Sequence, residues 1–329
     1  MSDIHKKNYC KIILIVLTAV MFLFAFCLCM SKKPDGSKWL CVAENSLENA
    51  DGESVQLRGL STHGINWYPE YINKEAFLTI KESGGNTVRL AMYTDAEGGY
   101  LYNPEENIRC IENGISIASD LSMYVIVDWH ILDDGNPTLH TDEAKDFFNR
   151  IAKEQRDNPF VIYEICNEPN HVSWDDIKAY AEEIIPVIRK YSPDSVIIVG
   201  TPDYSFDLIH PLADPLEDGN LLYAYHYYSG EKRGFEDLKN AVDSGLPVIV
   251  SEWGIGKDSD GVLALEDGDA FAEYINRNNI SWCAWSLCNK DESYSVLKPE
   301  CTSLGPFDQS DLSKSGEVIV KALKGLNEE

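Results

Sequence analysis

The sequence predicts an α/β protein folded as a single (β/α)8 TIM barrel, preceded by a small N-terminal β-hairpin. Eight short runs rich in Val, Ile, Leu and aromatic residues alternate with helical patterns, as in parallel strands covered on both faces. The glycine fingerprint of a doubly wound nucleotide-binding sheet is absent from the sequence. A length of 329 residues with 44% hydrophobic residues suits one such barrel and excludes global disorder.

The predicted strands follow one another at regular intervals. The hairpin comes first, because residues 39–42 and 55–58 flank a turn signal at Asp51-Gly52. The eight barrel strands are then predicted over residues 55–60, 86–93, 124–130, 161–168, 195–200, 221–228, 247–254 and 281–287. Because each strand is joined to the next by a crossover, the sheet should be parallel and closed.

Helical patterns fill most of the connections between these strands. They lie at residues 74–83, 105–121, 142–155, 174–191, 231–242, 267–279 and, after the last strand, 313–326. The connection that follows Pro202 is less clearly helical than the others. No second domain and no internal repeat are indicated.

The first residues form a segment of a different kind. Lys6, Lys7 and Lys11 precede nineteen uncharged residues, 12–30, which predicts a signal peptide or signal anchor over residues 1–31. A polar linker over 32–38 and the barrel domain over 39–329 follow. The expected location is secreted or at the cell surface. Cleavage of the segment and membrane attachment through it remain alternatives.

Charge and cysteine content restrict the partners. The 28 basic and 54 acidic residues give a formal net charge of −26, which excludes a phosphate-tracking nucleic-acid binder and suits a neutral ligand. Six of the nine cysteines lie outside the N-terminal segment, without zinc spacing: Cys41, Cys110, Cys166, Cys283, Cys288 and Cys301. Their disulfide state stays open, although Cys166 and Cys283 lie in apolar runs that predict buried thiols. A monomer is expected.

Polar and aromatic side chains collect where the predicted strands end. In a barrel these ends meet at one face, where active sites lie. The residues concerned are His63, Trp67, Arg89, Tyr93, His130, Asn167, Glu168, His226, Tyr228, Glu252 and Trp285. Packing alone does not explain such residues at seven strand ends.

Two carboxylates on different strands are what cleavage of a glycosidic bond requires. Glu168, beside Asn167, is the candidate acid/base, and Glu252 is the candidate nucleophile. Arg89 would keep one carboxylate ionised, while burial would hold the proton of the other. The supporting roles are predicted as follows: His130 and His226 orient the pair, Tyr228 bonds the nucleophile, and Trp67, Tyr93 and Trp285 stack on sugar.

Seven segments resemble glycoside hydrolase family 5, the former cellulase family A, in its bacterial endo-β-1,4-glucanase branch. The resemblance covers about residues 39–327. Its segments are RGLSTHG at 58–64, NTVRLAMY at 86–93, VDWH at 127–130, VIYEICNEP at 161–169, YHYYS at 225–229, VSEWG at 250–254 and AWSLCNKDE at 284–292.

The resemblance implies a retaining endo-β-1,4-glucanase, a cellulase that hydrolyses internal bonds of β-1,4-glucan by double displacement without metal or cofactor. Glu168 and Glu252 match the family's acid/base and nucleophile. Arg89, His130, Asn167, His226, Tyr228 and Trp285 match its other active-site positions. His63, Trp67, Lys290 and Glu292 fall where this branch holds the sugar on the non-reducing side of the cleaved bond.

Three alternatives stay open at the level of sequence. A mannanase, xylanase or xyloglucanase could use the same barrel, although Lys290 and Glu292 favour unsubstituted glucan. A metal-dependent hydrolase could recruit Asp128 and the site histidines and glutamates, but those histidines stand singly on separate strands. A non-catalytic sugar-binding barrel would normally lack one of the two glutamates, and both are present.

Overall fold

Eight parallel strands form a closed barrel in the computed structural model, which describes residues 38–231, 234–256 and 263–325. The predicted (β/α)8 fold is therefore confirmed. The barrel strands are β4 (Arg58–Thr62), β5 (Thr87–Tyr93), β6 (Tyr124–His130), β7 (Val161–Glu164), β8 (Ile197–Val199), β9 (Leu221–Tyr228), β10 (Val248–Gly254) and β11 (Ser281–Leu287). They pair in chain order, and β11 closes the barrel between β10 and β4.

A small antiparallel sheet precedes the barrel and contains one strand more than the predicted hairpin. Its strands are β1 (Leu40–Ala43), β2 (Ser46–Asn49) and β3 (Ser54–Val55). The predicted turn is present, with Gly52 at a φ of 77°, but it joins β2 to β3 instead of pairing residues 39–42 with 55–58. Leu40 and Leu47 pack against inward-facing barrel side chains such as Tyr124 and Ile162, so this sheet covers the end opposite the strand carboxyl ends.

Nine α-helices accompany the strands of the described ranges, and most begin or end within two residues of the predicted bounds. They are α1 (Lys74–Glu82), α2 (Pro104–Asp120), α3 (Thr141–Glu154), α4 (Trp174–Arg189), α5 (Pro202–Ser205), α6 (Ile209–Ala213), α7 (Glu236–Asp243), α8 (Leu265–Arg277) and α9 (Lys314–Leu323). Side-chain caps define several starts: Asn73 accepts from the Ala76 amide, and Ser173 forms a capping box with Asp176.

Two predicted boundaries differ enough to affect the site. The strand predicted over 161–168 ends at Glu164, so Asn167 and Glu168 lie in the following connection. The connection after β8 replaces a full helix with two short pieces. Within α5, Asp203, Tyr204 and Ser205 have φ values of 55°, 60° and 58°, a left-handed turn that costs L-residues about 1–2 kcal/mol each.

Within these ranges no helix has both the length and the hydropathy needed to cross a bilayer. The apolar segment at 12–30, on which the prediction of export rests, lies outside the described residues, as do residues 326–329. The six described cysteines are present as free thiols, and Cys166 and Cys283 are fully buried, as predicted.

Candidate active site

The two candidate glutamates meet at the carboxyl ends of the barrel strands. Glu252 lies within β10, and Glu168 lies four residues beyond β7. One oxygen of each carboxylate and one ring nitrogen of His226 all lie within 4.8 Å of one another. Nearest oxygens this close are compatible with the separation of about 5–5.5 Å between the carboxyl groups of retaining glycosidases.

A fully buried guanidinium organises the centre of the site. Arg89 donates from Nε to Glu164 at 2.6 Å, from Nη1 to Glu252 at 3.0 Å, and from Nη2 to the Asn167 side-chain oxygen at 2.6 Å. Its Nη2 also lies 3.0 Å from an oxygen of Asp128. The single positive charge therefore faces three carboxylates, which raise the pKa of Arg89 although its burial alone would lower it.

Burial gives Glu168 the properties of an acid. It raises the pKa of this carboxyl to about 8, with a further contribution from Glu231 and a partial offset from Arg89. His226 Nδ1 lies 2.8 Å from Glu168 Oε1, and burial lowers the pKa of His226 to about 4, so the imidazole is neutral. A proton on Nδ1 would orient Oε1 and leave Oε2 to carry the acidic hydrogen.

Glu252 has the environment of an ionised carboxylate. Arg89 bonds one of its oxygens, and the Tyr228 hydroxyl donates to the other at 2.5 Å. Burial raises the pKa of Glu252, while the nearby His226 and Arg89 lower it. Arg89 contacts Glu252 directly and reaches Glu168 only at a distance. If the two glutamates carry one proton between them, that proton therefore belongs on Glu168.

The backbone around Glu168, which lies in the connection after β7, is also bonded by the connection after β8. Ser205 Oγ donates to the Asn167 carbonyl at 2.6 Å, and the Tyr204 amide donates to the Pro169 carbonyl at 3.1 Å. These bonds come from the left-handed turn of α5. That turn therefore fixes the backbone on both sides of Glu168.

Aromatic side chains line the cleft on either side of the glutamates. The Trp285 ring stacks on His130 with centroids 5.3 Å apart and planes at 13°, and only 5% of its surface is exposed. Trp67 is 41% exposed, and its ring centroid lies 4.6 Å from that of Tyr93. Trp67 therefore presents much of its ring to the cleft, whereas Trp285 presents only a small part of its surface.

The predicted sugar-binding residues of the non-reducing side form a second group in the cleft. Lys290 Nζ lies 2.6 Å from a Glu292 oxygen and 3.4 Å from His63 Nε2. Burial, Lys290 and His130 lower the pKa of His63 to about 3, so its ring is neutral. Hydroxyl groups of a neutral sugar can donate to Glu292 and accept from Lys290.

Every predicted site residue either lines this cleft or bonds a residue that does. His63, Trp67, Tyr93, His130, Glu168, His226, Tyr228, Glu252, Trp285, Lys290 and Glu292 line it. Arg89 and Asn167 lie beneath the cleft. Arg89 donates a hydrogen bond to Glu252, and the Asn167 amide nitrogen lies 3.4 Å from His130 Nε2.

Two buried carboxylates belong to the site but were not predicted as site residues. Glu164 bonds Arg89, and Asp128 lies 2.6 Å from His130 Nδ1. Burial raises the pKa of both, that of Asp128 to about 7, against the opposing charge of Arg89. The available signal was a charged residue inside an otherwise apolar strand, because such a charge needs a buried partner.

The donor atoms of Glu168, His226 and Glu252 are close enough together to bind a metal ion. The Arg89 guanidinium, 3.0 Å from Glu252, opposes a second cation there, and the Tyr228 hydroxyl occupies the other oxygen. These contacts favour general acid and nucleophile roles over metal binding.

A (β/α)8 barrel with two adjacent glutamates, Glu252 buried and bonded to arginine and tyrosine and Glu168 only partly exposed, has the architecture of a retaining glycoside hydrolase. A family model described as cellulase (glycosyl hydrolase family 5) matches residues 48–291. The chain belongs to this family.

Relatives and solved structures agree with this membership. Endoglucanase A of Butyrivibrio fibrisolvens is 41% identical over 297 residues, covering 87% of this chain and 69% of the relative. An endoglucanase of Clostridium saccharobutylicum is 38% identical and covers 99% of this chain and 75% of the relative. The catalytic domain of a Thermobifida fusca endoglucanase superposes with a TM-score of 0.83 at 36% identity, covering 87% of this chain and 97% of that one. A variant of that domain has been solved in complex with cellotetraose, with a TM-score of 0.82.

Proposed function

We propose that this protein is a retaining endo-β-1,4-glucanase, a cellulase that hydrolyses internal bonds of cellulose-type glucans. The observation that carries the proposal is the asymmetric glutamate pair: oxygens within 4.8 Å, with only Glu252 bonded to Arg89. The names of the relatives and the cellotetraose complex of a similar structure support the choice of β-1,4-glucan as substrate.

The pair would act in two steps. Glu252 attacks the anomeric carbon while Glu168 gives its proton to the departing glycosidic oxygen, which forms a glycosyl-enzyme ester and releases the first product. Glu168, now a carboxylate, removes a proton from water as that water attacks the same carbon, and Glu252 leaves. Two inversions give retained configuration, and no redox change or external group is needed.

Neighbouring residues would keep this geometry without reacting themselves. Asn167 is locked because its oxygen accepts from Arg89 and its amide donates to the Ile131 carbonyl at 3.0 Å. Asp128 fixes the His130 ring from below. Asn167 therefore stays fixed beneath the cleft, and His130, which lines the cleft, keeps one ring orientation beside the sugar bonded to the nucleophile.

A direct test incubates the protein with carboxymethyl-cellulose and with β-mannan, and measures new reducing ends. We expect reducing ends from the glucan in excess of those from mannan, and equal rates after treatment with a chelator. Faster release from mannan would assign the cleft to that sugar, and the same assay with xylan and xyloglucan tests the other two alternatives. Loss of activity with the chelator, restored by metal, would instead indicate a metal-dependent hydrolase.

We also propose that the protein is exported and acts outside the cell or at its surface. The support is the charged stub and uncharged run of residues 1–31, together with a polymeric substrate too large to enter a cell. Fractionation of the native host, with immunoblotting of medium, membranes and cytoplasm, tests this. Confinement to the cytoplasm would contradict it.

The pH dependence of the reaction follows from the raised pKa of Glu168. The acid works only when protonated, so a pKa of about 8 keeps it active through neutral pH, and kcat/KM should fall above about pH 8. The Glu231 carboxylate contributes to this raised pKa, so Glu231→Gln should move the alkaline limb to lower pH. Initial rates across pH with hydroxyethyl-cellulose, an uncharged substrate, measure both. An alkaline limb near pH 5 in the unmodified protein would contradict this assignment.

A further inference from the structure

The connection between β5 and α2 forms a rigid rim beside the non-reducing side of the cleft. The Tyr100 amide donates to the Tyr93 carbonyl at 2.8 Å, and the Asn66 side chain donates to the Glu97 carbonyl at 2.8 Å. The Asn107 side chain closes the same segment by donating to the Gly98 carbonyl at 2.9 Å. The backbone of this rim is therefore held in place by hydrogen bonds.

Tyr102 stands on this rim with its ring in solvent. Tyr102 is 63% exposed, and its hydroxyl donates a hydrogen bond to Asp95 Oδ1 at 2.7 Å. Asp95 itself lines the cavity that contains Trp67, Lys290 and Glu292, and it does not line the part that contains Glu168. The aromatic ring is thus held, through Asp95, beside the part of the cleft that contains Trp67, Lys290 and Glu292.

The remaining atoms of this pair suit a sugar. Asp95 Oδ2 has no partner among the described residues, so it can accept a hydrogen bond from a hydroxyl group. The exposed Tyr102 ring offers a flat apolar face, and its hydroxyl, tied to Asp95, limits rotation of the side chain. Ordering this site on binding therefore costs little side-chain entropy.

The distribution of exposed apolar side chains points to the same face. Large hydrophobic residues that the described part of the chain exposes all lie in segments that follow barrel strands: in irregular connections, at the first residue of a helix, or in the short helix α5. They are Trp67, Tyr102, Leu139, Tyr204, Ile209, Leu265 and Leu304. Such exposure is thus concentrated on the face that receives the substrate.

From these observations we infer that Tyr102 and Asp95 form an additional sugar-binding subsite, which takes a glucose unit of a long β-1,4-glucan chain beyond the units held at Lys290 and Glu292. This inference rests on the proposed endoglucanase function and extends it. The subsite makes no contact with the reacting bond. It therefore favours long chains over short ones without changing the chemical steps.

The test compares Tyr102→Ala with the unmodified protein on cellohexaose and on a chromogenic aryl cellobioside, which is too short to reach the rim. We expect kcat/KM for cellohexaose to fall about three- to tenfold, the size of one aromatic contact, with no change for the aryl cellobioside. Tyr102→Phe, which keeps the ring face, should retain most of the activity on cellohexaose. The melting temperature should not change, because the side chain is exposed.

Leu139→Ala is the matched control, since Leu139 is 62% exposed on the next connection and has no polar anchor in the cleft. It should leave both substrates unaffected. Equal losses on the two substrates in Tyr102→Ala, or no loss on either, would overturn the subsite. Failure of the unmodified protein to cleave cellohexaose would overturn the proposed function itself, and with it this extension.

Discussion

Replacement of Glu252 by alanine should reduce glucan hydrolysis about 10⁴- to 10⁶-fold, because no glycosyl-enzyme ester can form without the carboxylate. Sodium azide should restore part of the turnover by attacking the anomeric carbon from the vacated side. The azide product should have inverted configuration, which proton NMR of its anomeric signal detects.

The fold should survive this substitution. Arg89 keeps Glu164 and Asp128 as partners after Glu252 is removed, so no buried charge is left alone. Thermal unfolding of the Glu252→Ala variant beside the unmodified protein provides the control. If azide rescued Glu168→Ala with inversion, and not Glu252→Ala, the two roles would be exchanged.

Replacement of Glu168 by alanine should have an effect that depends on the leaving group. Hydrolysis of glucan should fall about 10²- to 10⁴-fold, the usual contribution of a general acid. An aryl cellobioside with an acidic phenol should still form the glycosyl-enzyme rapidly, because its leaving group needs no proton, and a burst of phenol should precede a slow steady state.

The same variant should lose the alkaline limb of the pH profile, since the group that titrates at about pH 8 is gone. Stopped-flow detection of the phenol and the pH dependence of the burst rate measure these effects. An equal loss with good and poor leaving groups would mean that Glu168 does not act as the acid.

The sequence predicts most strand ends well because most strands carry an apolar run followed by polar or aromatic residues at the carboxyl end. Glu252 and His226 follow from this rule directly, since β10 and β9 continue through them. Glu168 was placed at the correct face, but on a strand that ends four residues earlier. Apolar character persists through Ile165 and Cys166, so composition alone does not mark the end of β7.

The buried carboxylates beneath the site could not be found in the same way. Asp128 and Glu164 lie 36 positions apart in sequence and become neighbours because β6 and β7 pair in that register. Both face Arg89 on β5 only once the barrel is closed. Pairing register is a property of the assembled sheet, and one sequence does not reveal it. The additional strand β2 was missed for a different reason. Its Ser-Leu-Glu-Asn sequence is too short and too polar to be recognised as a strand.

The two glutamates lie on different kinds of backbone segment, one on a strand and one on a connection. This difference limits how the barrel can be redesigned. Glu252 belongs to a strand whose position the whole sheet determines. The backbone around Glu168 instead depends on hydrogen bonds from the left-handed turn after β8. Exchange of that connection for one from another barrel, a common route to new specificity, would therefore displace the proton donor as well as reshape the cleft. The connection after β6 also bonds the chain around Glu168, because Asn167 donates to the Ile131 carbonyl and Asn170 to the Leu132 carbonyl. The connection after β5 is therefore the better place to introduce new substrate preferences.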